Sequence, residues 1–290
     1  MRATRYAAPD SVGDAVALLA GAAGRGRVLA GGSDLLVQMR AGRIEAELVV
    51  DVKRIERMTT LSHDARGFRI GAAVCGAALA EDALLARAWP GVVEAVQLIG
   101  SSQIQGRASL GGNLCNASPA ADGVPALVTA GARCVVAGPA GEREVEASQV
   151  ATGPGETSLS AGEILVEVLL PDPPPRCADA YLRMTPRSEM DIAVVGAAAR
   201  VWLDERGRCS AARVALGSVG PTVREVHAAD AILAGGALDD AALARLAGAA
   251  RDATAPIDDL RGSARYRTRV AGVLARRATL IAYARARERR

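Results

Sequence analysis

Two glycine pairs about eighty residues apart constrain this chain more than any other feature: Gly31-Gly32 in VLAGGSDLL and Gly111-Gly112 in GRASLGGNLCNASPAAD. Each follows an apolar run and precedes polar groups, so each reads as a turn whose bare backbone N–H groups can approach phosphate oxygens. In the first, the glycines permit positive φ, and Ser33 and Asp34 suit the cap of the helix that follows. A pyrophosphate at that helix start would meet N–H donors without any cationic side chain. The same residues also suit an ordinary strand-to-helix turn, because short glycine motifs are weakly specific. The second loop is longer: Ser109 offers a hydroxyl, Gly111 and Gly112 allow close backbone approach, and Asn113 adds a two-way amide. Asp122, nine residues on, places a carboxylate where a ribose hydroxyl or an adenine amino group could donate to it. Neither turn is a P-loop, since no Lys-Ser or Lys-Thr follows the glycines, and no G-x-G-x-x-G follows the first strand.

Hydrophobic periodicity divides the chain around these turns. Asp10 or Ser11 caps a helix through Val12, Ala15, Val16, Leu18 and Leu19. A strand at Val28 to Ala30, a helix at Leu35 to Met39 and a strand at Leu48 to Val52 complete a small α/β lobe, about residues 1–55. A second, α+β lobe, about 56–175, is expected to hold a strand over Gly67 to Ala73, one helix over Leu79 to Trp89 and another over Val92 to Ile99. It also takes in the apolar segments Ala126 to Ala130, Cys134 to Val136 and Ile164 to Leu170. Pro171-Asp172-Pro173-Pro174-Pro175 is the clearest boundary, because proline cannot donate to a sheet and stiffens a connection. Residues 176–290 read as a separate α+β domain: two strands, Asp191 to Trp202 and Cys209 to Ser218, then helices over Asp239 to Ala253 and Ser263 to Arg285.

Composition narrows the function classes. The chain has 290 residues, which suits two domains, and half are apolar, ample for a core. Aromatic residues are too scarce for nucleic-acid recognition by stacking. The net charge of +3 reflects arginines near the C-terminus, Arg276, Arg277, Arg285, Arg287, Arg289 and Arg290, read as a solvated helix face or else a phosphate-binding tail. No signal-peptide h-region and no membrane span is visible, so a soluble cytoplasmic protein is expected. Five dispersed cysteines without C-x-x-C argue against a zinc site or an iron–sulfur cluster in this chain and for reduced thiols.

At this point the motifs carry a resemblance. LAGGSDLL, ASLGGNLCNASPAAD, RSEMDIAVVGAAARV, ALGSVGPT and DLRGSARYRTRVAGVLARRA together resemble the FAD-binding medium subunit of the molybdenum hydroxylases, the family of carbon monoxide dehydrogenase and the flavin region of xanthine dehydrogenase. The resemblance spans nearly the whole chain. It implies an α+β fold: a two-lobed FAD-binding domain (1–175) of the PCMH/vanillyl-alcohol-oxidase-like type, then a C-terminal α+β domain (176–290) of the carbon monoxide dehydrogenase flavoprotein type. Cofactor contacts are implied at Leu29, Ala30, Gly31, Gly32, Ser33, Asp34 and Leu35, at Ser109, Leu110, Gly111, Gly112 and Asn113, and at Asp122. Ile99 is implied where some members place an aromatic beside the flavin, and Leu165 and Arg183, also implied cofactor contacts, fall where the family uses an apolar and a basic residue, a surface arginine being the alternative for Arg183. FAD is expected to be noncovalent, because no histidine stands at the Ser33-Asp34 turn.

No catalytic side chain and no metal ligand is implied, since the redox chemistry belongs to the flavin. The implied partners are a large molybdopterin-binding subunit and a small [2Fe-2S] subunit, in a dimer of heterotrimers, with neither nucleic acid nor membrane insertion. The chain would then pass electrons from iron–sulfur clusters through FAD to NAD, oxygen or a quinone. A self-contained FAD-dependent oxidase or dehydrogenase and a nonenzymatic nucleotide-binding assembly module are the alternatives. His63, read in a turn, and His227 are expected to be structural, and Cys115 a small buried residue rather than a redox centre. Met184 and Met190 are expected in the core, and Arg187, Glu189 and Asp191 in surface pairs or at a partner.

Overall fold

The computed structural model describes residues 4–188 and 190–289; Glu189 and Arg290, named above, lie outside them. The chain begins with β1 (Arg5–Ala7), α1 (Val12–Gly21), β2 (Gly26–Leu29), α2 (Leu35–Arg40) and β3 (Leu48–Asp51). These strands form a parallel sheet in the order β1-β3-β2. Every residue of β3 is buried, which suits its central place. Parallel neighbours need crossovers, and α1 and α2 supply them. The Ser11 hydroxyl caps α1 by accepting from the Asp14 N–H at 3.1 Å, and Ala15, Val16 and Leu19 form its buried face.

The next unit runs α3 (Glu56–Thr59), β4 (Leu61–Asp64), β5 (Gly67–Gly71), α4 (Gly76–Glu81), α5 (Ala83–Ala88), α6 (Pro90–Gln97), α7 (Ser102–Gln105), α8 (Leu110–Cys115) and α9 (Gly123–Ala130). It continues through β6 (Arg133–Gly138), β7 (Gly141–Glu146), a 3₁₀ turn, β8 (Ala151–Gly153), β9 (Glu156–Thr157) and β10 (Ile164–Leu170). The five long strands pair antiparallel in the order β4-β5-β10-β6-β7. The apolar run of β10 occupies the middle, and its one charge, the buried Glu167, is matched by Arg57 and Arg69, each 2.6 Å away. Past the prolines come β11 (Cys177–Met184), β12 (Val195–Leu203), β13 (Cys209–Gly217) and β14 (Arg224–Glu225), an antiparallel sheet in that order. Helices α10 (Ala229–Leu233), α11 (Asp240–Asp252) and α12 (Ala264–Glu288) follow.

Three expectations need correction. The helix read over Leu79 to Trp89 is two helices, because Asp82 leaves helical geometry (ψ 106°) and caps α5 through the Leu85 N–H. Among the described residues the C-terminal sheet has four strands rather than two, and β12 starts at Val195 rather than Asp191. His63 lies in β4, not a turn, where Nε2 meets Asp172 at 2.9 Å and the ring packs on Phe68.

Strand β12 joins the two halves. Ala197 and Ala199 belong to the C-terminal core beneath α12, whereas Ala198 belongs to the core of the first 175 residues, on the side of α9. Small side chains on both faces let a helix approach each one. Arg200 lies on the α9 side, donating to the carbonyl of Ala130 at 2.8 Å, with its guanidinium 4.6 Å from the Trp89 ring and 4.2 Å from that of Trp202. The two tryptophans of the chain thus sandwich one cation at this joint. Of the arginines read as a solvated face, Arg276, Arg277 and Arg287 are exposed, whereas Arg285 and Arg289 form a clasp. Arg285 pairs with Glu94 and donates to the carbonyl of Asp179, while Arg289 donates to the carbonyls of Arg87, Ala88 and Cys177.

Candidate functional site

A cleft of about 690 Å³ opens where the first lobe meets the second. One wall is the turn between β2 and α2. Gly32 has φ +77°, a left-handed conformation that favours glycine. Among the described residues, no group accepts a hydrogen bond from the backbone N–H of Gly31, Gly32, Ser33 or Asp34. Four successive donors without acceptors, beside a cleft, suit an anion. The facing wall is the start of α8, where the Ser109 hydroxyl accepts from the Gly112 N–H at 3.1 Å and the Gly111 N–H has no acceptor among the described residues.

The two glycine turns touch each other. A side chain on Gly31 would place its Cβ 1.9 Å from the carbonyl oxygen of Arg107, so the absence of one lets the second loop close on the first. Gln38 of α2 adds a 3.0 Å hydrogen bond to Asn116, just past α8. Gly111 packs in the same manner, its virtual Cβ 2.6 Å from Ala72. Gly112 is different: only the Ser109 hydroxyl, at 3.0 Å, would meet its Cβ, and the residue lines the cleft. Gly31 and Gly111 therefore serve packing between chain segments, and Gly112 is the one that keeps space open in the cleft.

The implied contact residues separate accordingly. Ala30, Gly31, Gly32, Ser33, Asp34, Leu35, Ile99, Ser109, Gly111, Gly112, Asn113 and Leu165 line the cleft. Leu29, Leu110, Asp122 and Arg183 stand outside that lining. Leu29 ends β2 and Leu110 is buried beneath the second turn. Both Asp122 oxygens are already engaged within the protein, accepting from Tyr181 Oη at 2.8 Å and from Arg183 Nη1 at 2.9 Å. Arg183, with a side chain only 5% exposed, is not a surface arginine. It holds β11 to the start of α9. The cleft is connected to this pair through Asn113, whose Oδ1 accepts from the Gly123 N–H at 3.0 Å. Contrary to expectation, Asp34 makes no side-chain cap to α2.

Electrostatics discourages side-chain catalysis in the cleft. Burial pushes the Cys115 thiol up to about 12, so this cleft-lining cysteine is not a thiolate nucleophile. Burial also raises the Asp34 carboxyl. For Asp122, burial raises the carboxyl to about 6, against the opposing pull of Arg183 and Tyr181. Among the described residues, no group of three or more His, Cys, Asp or Glu could hold a metal. Met184 packs against the C-terminal core, but Met190 is 56% exposed. Arg187 and Asp191 form a surface pair at 3.8 Å. The third wall, Gly155 to Leu165, was invisible to periodicity because GETSLSAGE reads as a polar loop; only Leu165 was singled out.

A parallel lobe and an antiparallel lobe thus meet at paired glycine turns, and a helix-backed antiparallel sheet follows them. Residues 2–173 match the family model described as the FAD binding domain in molybdopterin dehydrogenase, and residues 180–282 match the CO dehydrogenase flavoprotein C-terminal domain. The chain is 35% identical over 282 residues to the carbon monoxide dehydrogenase medium chain of Afipia carboxidovorans, with 97% of each covered. It is 34% identical over 227 residues to a xanthine dehydrogenase FAD-binding subunit of Escherichia coli O157:H7, with 77% of each covered. Carbon monoxide dehydrogenase from Hydrogenophaga pseudoflava superimposes with a TM-score of 0.93 at 33% identity, covering 97% of this chain and 98% of that one. Quinoline 2-oxidoreductase from Pseudomonas putida 86 gives a TM-score of 0.91 at 30% identity, with 98% of each covered. The chain belongs to the family of FAD-binding medium subunits of the molybdenum hydroxylases.

Proposed function

We propose that this chain carries FAD noncovalently in the cleft and serves as the electron-transferring subunit of a molybdenum hydroxylase. The observation that supports the reading most is the run of four acceptor-free N–H groups at Gly31 to Asp34, facing the second glycine turn. In this reading the N–H groups of both turns hold the phosphates, Asn113 contributes a polar contact, the Ser109 hydroxyl caps the second turn, and Ile99 and Leu165 flank the ring system. Leu29 and Leu110 support the turns from beneath. Asp122 and Arg183 act at one remove, by fixing α9 and hence Asn113, rather than by touching the cofactor. When bound, the flavin supplies the exchange between single-electron and two-electron chemistry; the protein supplies position, and the apolar walls restrict water.

The partners in this reading are a large molybdopterin-binding subunit and a small [2Fe-2S] subunit, assembled as a dimer of heterotrimers. Exposed Met190, Ile192, Ile257 and Leu260 suit such burial; Arg261 approaches Asp191 at 3.9 Å, which brings their two segments together. The domain division 1–175 and 176–290 is part of the same proposal, as is a cytoplasmic location. No helix among the described residues is long and apolar enough to cross a membrane, and all five cysteines are free thiols. The test is to purify the chain, record its flavin spectrum after FAD addition, and assay substrate-dependent acceptor reduction with and without the partner subunits. A bound flavin with turnover only in the assembled complex is expected; robust turnover by the chain alone would sink the electron-carrier assignment.

A further inference from the structure

Lys53 is the only lysine in the sequence, although the chain carries 35 basic residues of the Lys and Arg types. It stands just after β3, and its ammonium reaches across to the turn after β2, donating to the carbonyl oxygen of Ala30 at 3.0 Å. A second bond, 2.7 Å to Asp51 Oδ1, fixes the ammonium, and Asp51 in turn accepts from Tyr6 Oη at 2.7 Å. The Asp51 carboxyl is held below its ordinary value because these donors outweigh the burial that would raise it. The lysine is therefore held from two sides in its charged form, with its side chain about one-third exposed at 34%.

The carbonyl of Ala30 and the N–H of Gly31 belong to one peptide unit. That unit is trans, so the two groups point in opposite directions. Pinning the oxygen on the Lys53 side directs the N–H to the other side, where it has no acceptor among the described residues and where Gly31 lines the cleft. A cation on the carbonyl also polarises the peptide, strengthening its N–H as a donor.

We propose that Lys53 is a positioning residue for the phosphate-binding turn: it aims and polarises the Gly31 N–H and places a positive charge behind it, without touching the cofactor. This rests on the reading of the cleft as an FAD site. A short neutral side chain here would leave the Ala30 carbonyl free to rotate, and arginine would retain the charge and a donor.

Single-lysine chemistry gives a test on folded protein. The apo chain is acetylated with an amine-specific reagent, or reductively dimethylated, which keeps the charge, and FAD affinity is then measured by flavin fluorescence. Acetylation is expected to weaken FAD binding about tenfold, the scale of a lost hydrogen bond to a charged group, while dimethylation leaves it within about threefold. Saturating FAD should slow Lys53 acetylation, read by peptide mass spectrometry. Lys53→Arg, in which only the N-terminal amine remains reactive, should bind like the native chain before and after acetylation, and Lys53→Met should match the acetylated protein. Native chain that binds FAD equally well with Lys53 fully acetylated overturns the role of Lys53 alone. Native chain that takes up no FAD overturns the flavin reading, and this assignment with it.

Discussion

The four conspicuous glycines differ in what a side chain would strike, and that separates folding from binding residue by residue. Gly31→Ala drives a methyl into the Arg107 carbonyl and forces the loops apart; a loss of about 2–3 kcal/mol of stability is expected by denaturant unfolding, the scale of core overpacking, together with poor FAD retention. In Gly112→Val the Cβ meets only a hydroxyl at 3.0 Å and the residue lines the cleft, so stability should stay within about 1 kcal/mol of native while FAD affinity falls at least tenfold. Equal affinity in a folded Gly112→Val protein contradicts its assignment to the ligand side. Asp122 yields a pH test. Its carboxyl is raised to about 6 in the folded chain against an ordinary value near 3.8, so the folded state holds a proton that the unfolded state has released. That contribution is full below about pH 4 and is lost as pH rises through about 6. Asp122→Asn, which cannot ionise, should therefore gain on the native protein by on the order of 2–3 kcal/mol between pH 4 and pH 7 in urea unfolding. A constant difference across that range refutes the burial-dominated environment. The turns themselves were legible in the sequence because backbone freedom is written directly as Gly-Gly. Their mutual contact was not, since nothing in the residues around Arg107 announces what its carbonyl will face.

Among the elements, β11 is the instructive omission. CADAYLRM alternates small, acidic and aromatic residues in place of a clean apolar pattern, because Asp179 and Tyr181 are buried against groups from the other domain. Asp179 accepts from the Gly91 and Val92 N–H groups at the start of α6, at 3.0 and 3.2 Å, and Tyr181 reaches Asp122. Polar residues that satisfy a neighbouring domain look, to periodicity, like a loop. The long β10 is legible in the sequence only as an apolar segment, whereas the amphipathic α11 carries its own helical pattern and is read correctly. At the joint between elements, Arg200 occupies a position lysine cannot fill, stacking between two indoles while bonding the end of α9. Arg200→Lys should cost about 2 kcal/mol, read as a lower Tm with unchanged secondary structure. A native Tm would show that the sandwich contributes nothing.

At the scale of the whole molecule, the architecture divides the labour between two places. The cleft lies between the lobes of the first 175 residues, whereas the C-terminal sheet grips α9 through β11, β12 and β13 and thereby supports Asn113 from behind. Function and family were legible because short motifs with unusual backbone demands recur along nearly the entire chain; substrate choice was not, because no part of this cleft carries a catalytic pair. The central claim is that the cleft holds FAD by backbone donors. Titration of the apo chain with FAD, followed by fluorescence, tests it most directly. One FAD per chain is expected, with affinity lost in folded Gly112→Val and largely preserved in Ser109→Ala, whose hydroxyl is occupied as a helix cap. No saturable binding by the folded native chain, or affinity unchanged in the glycine variant, contradicts the claim.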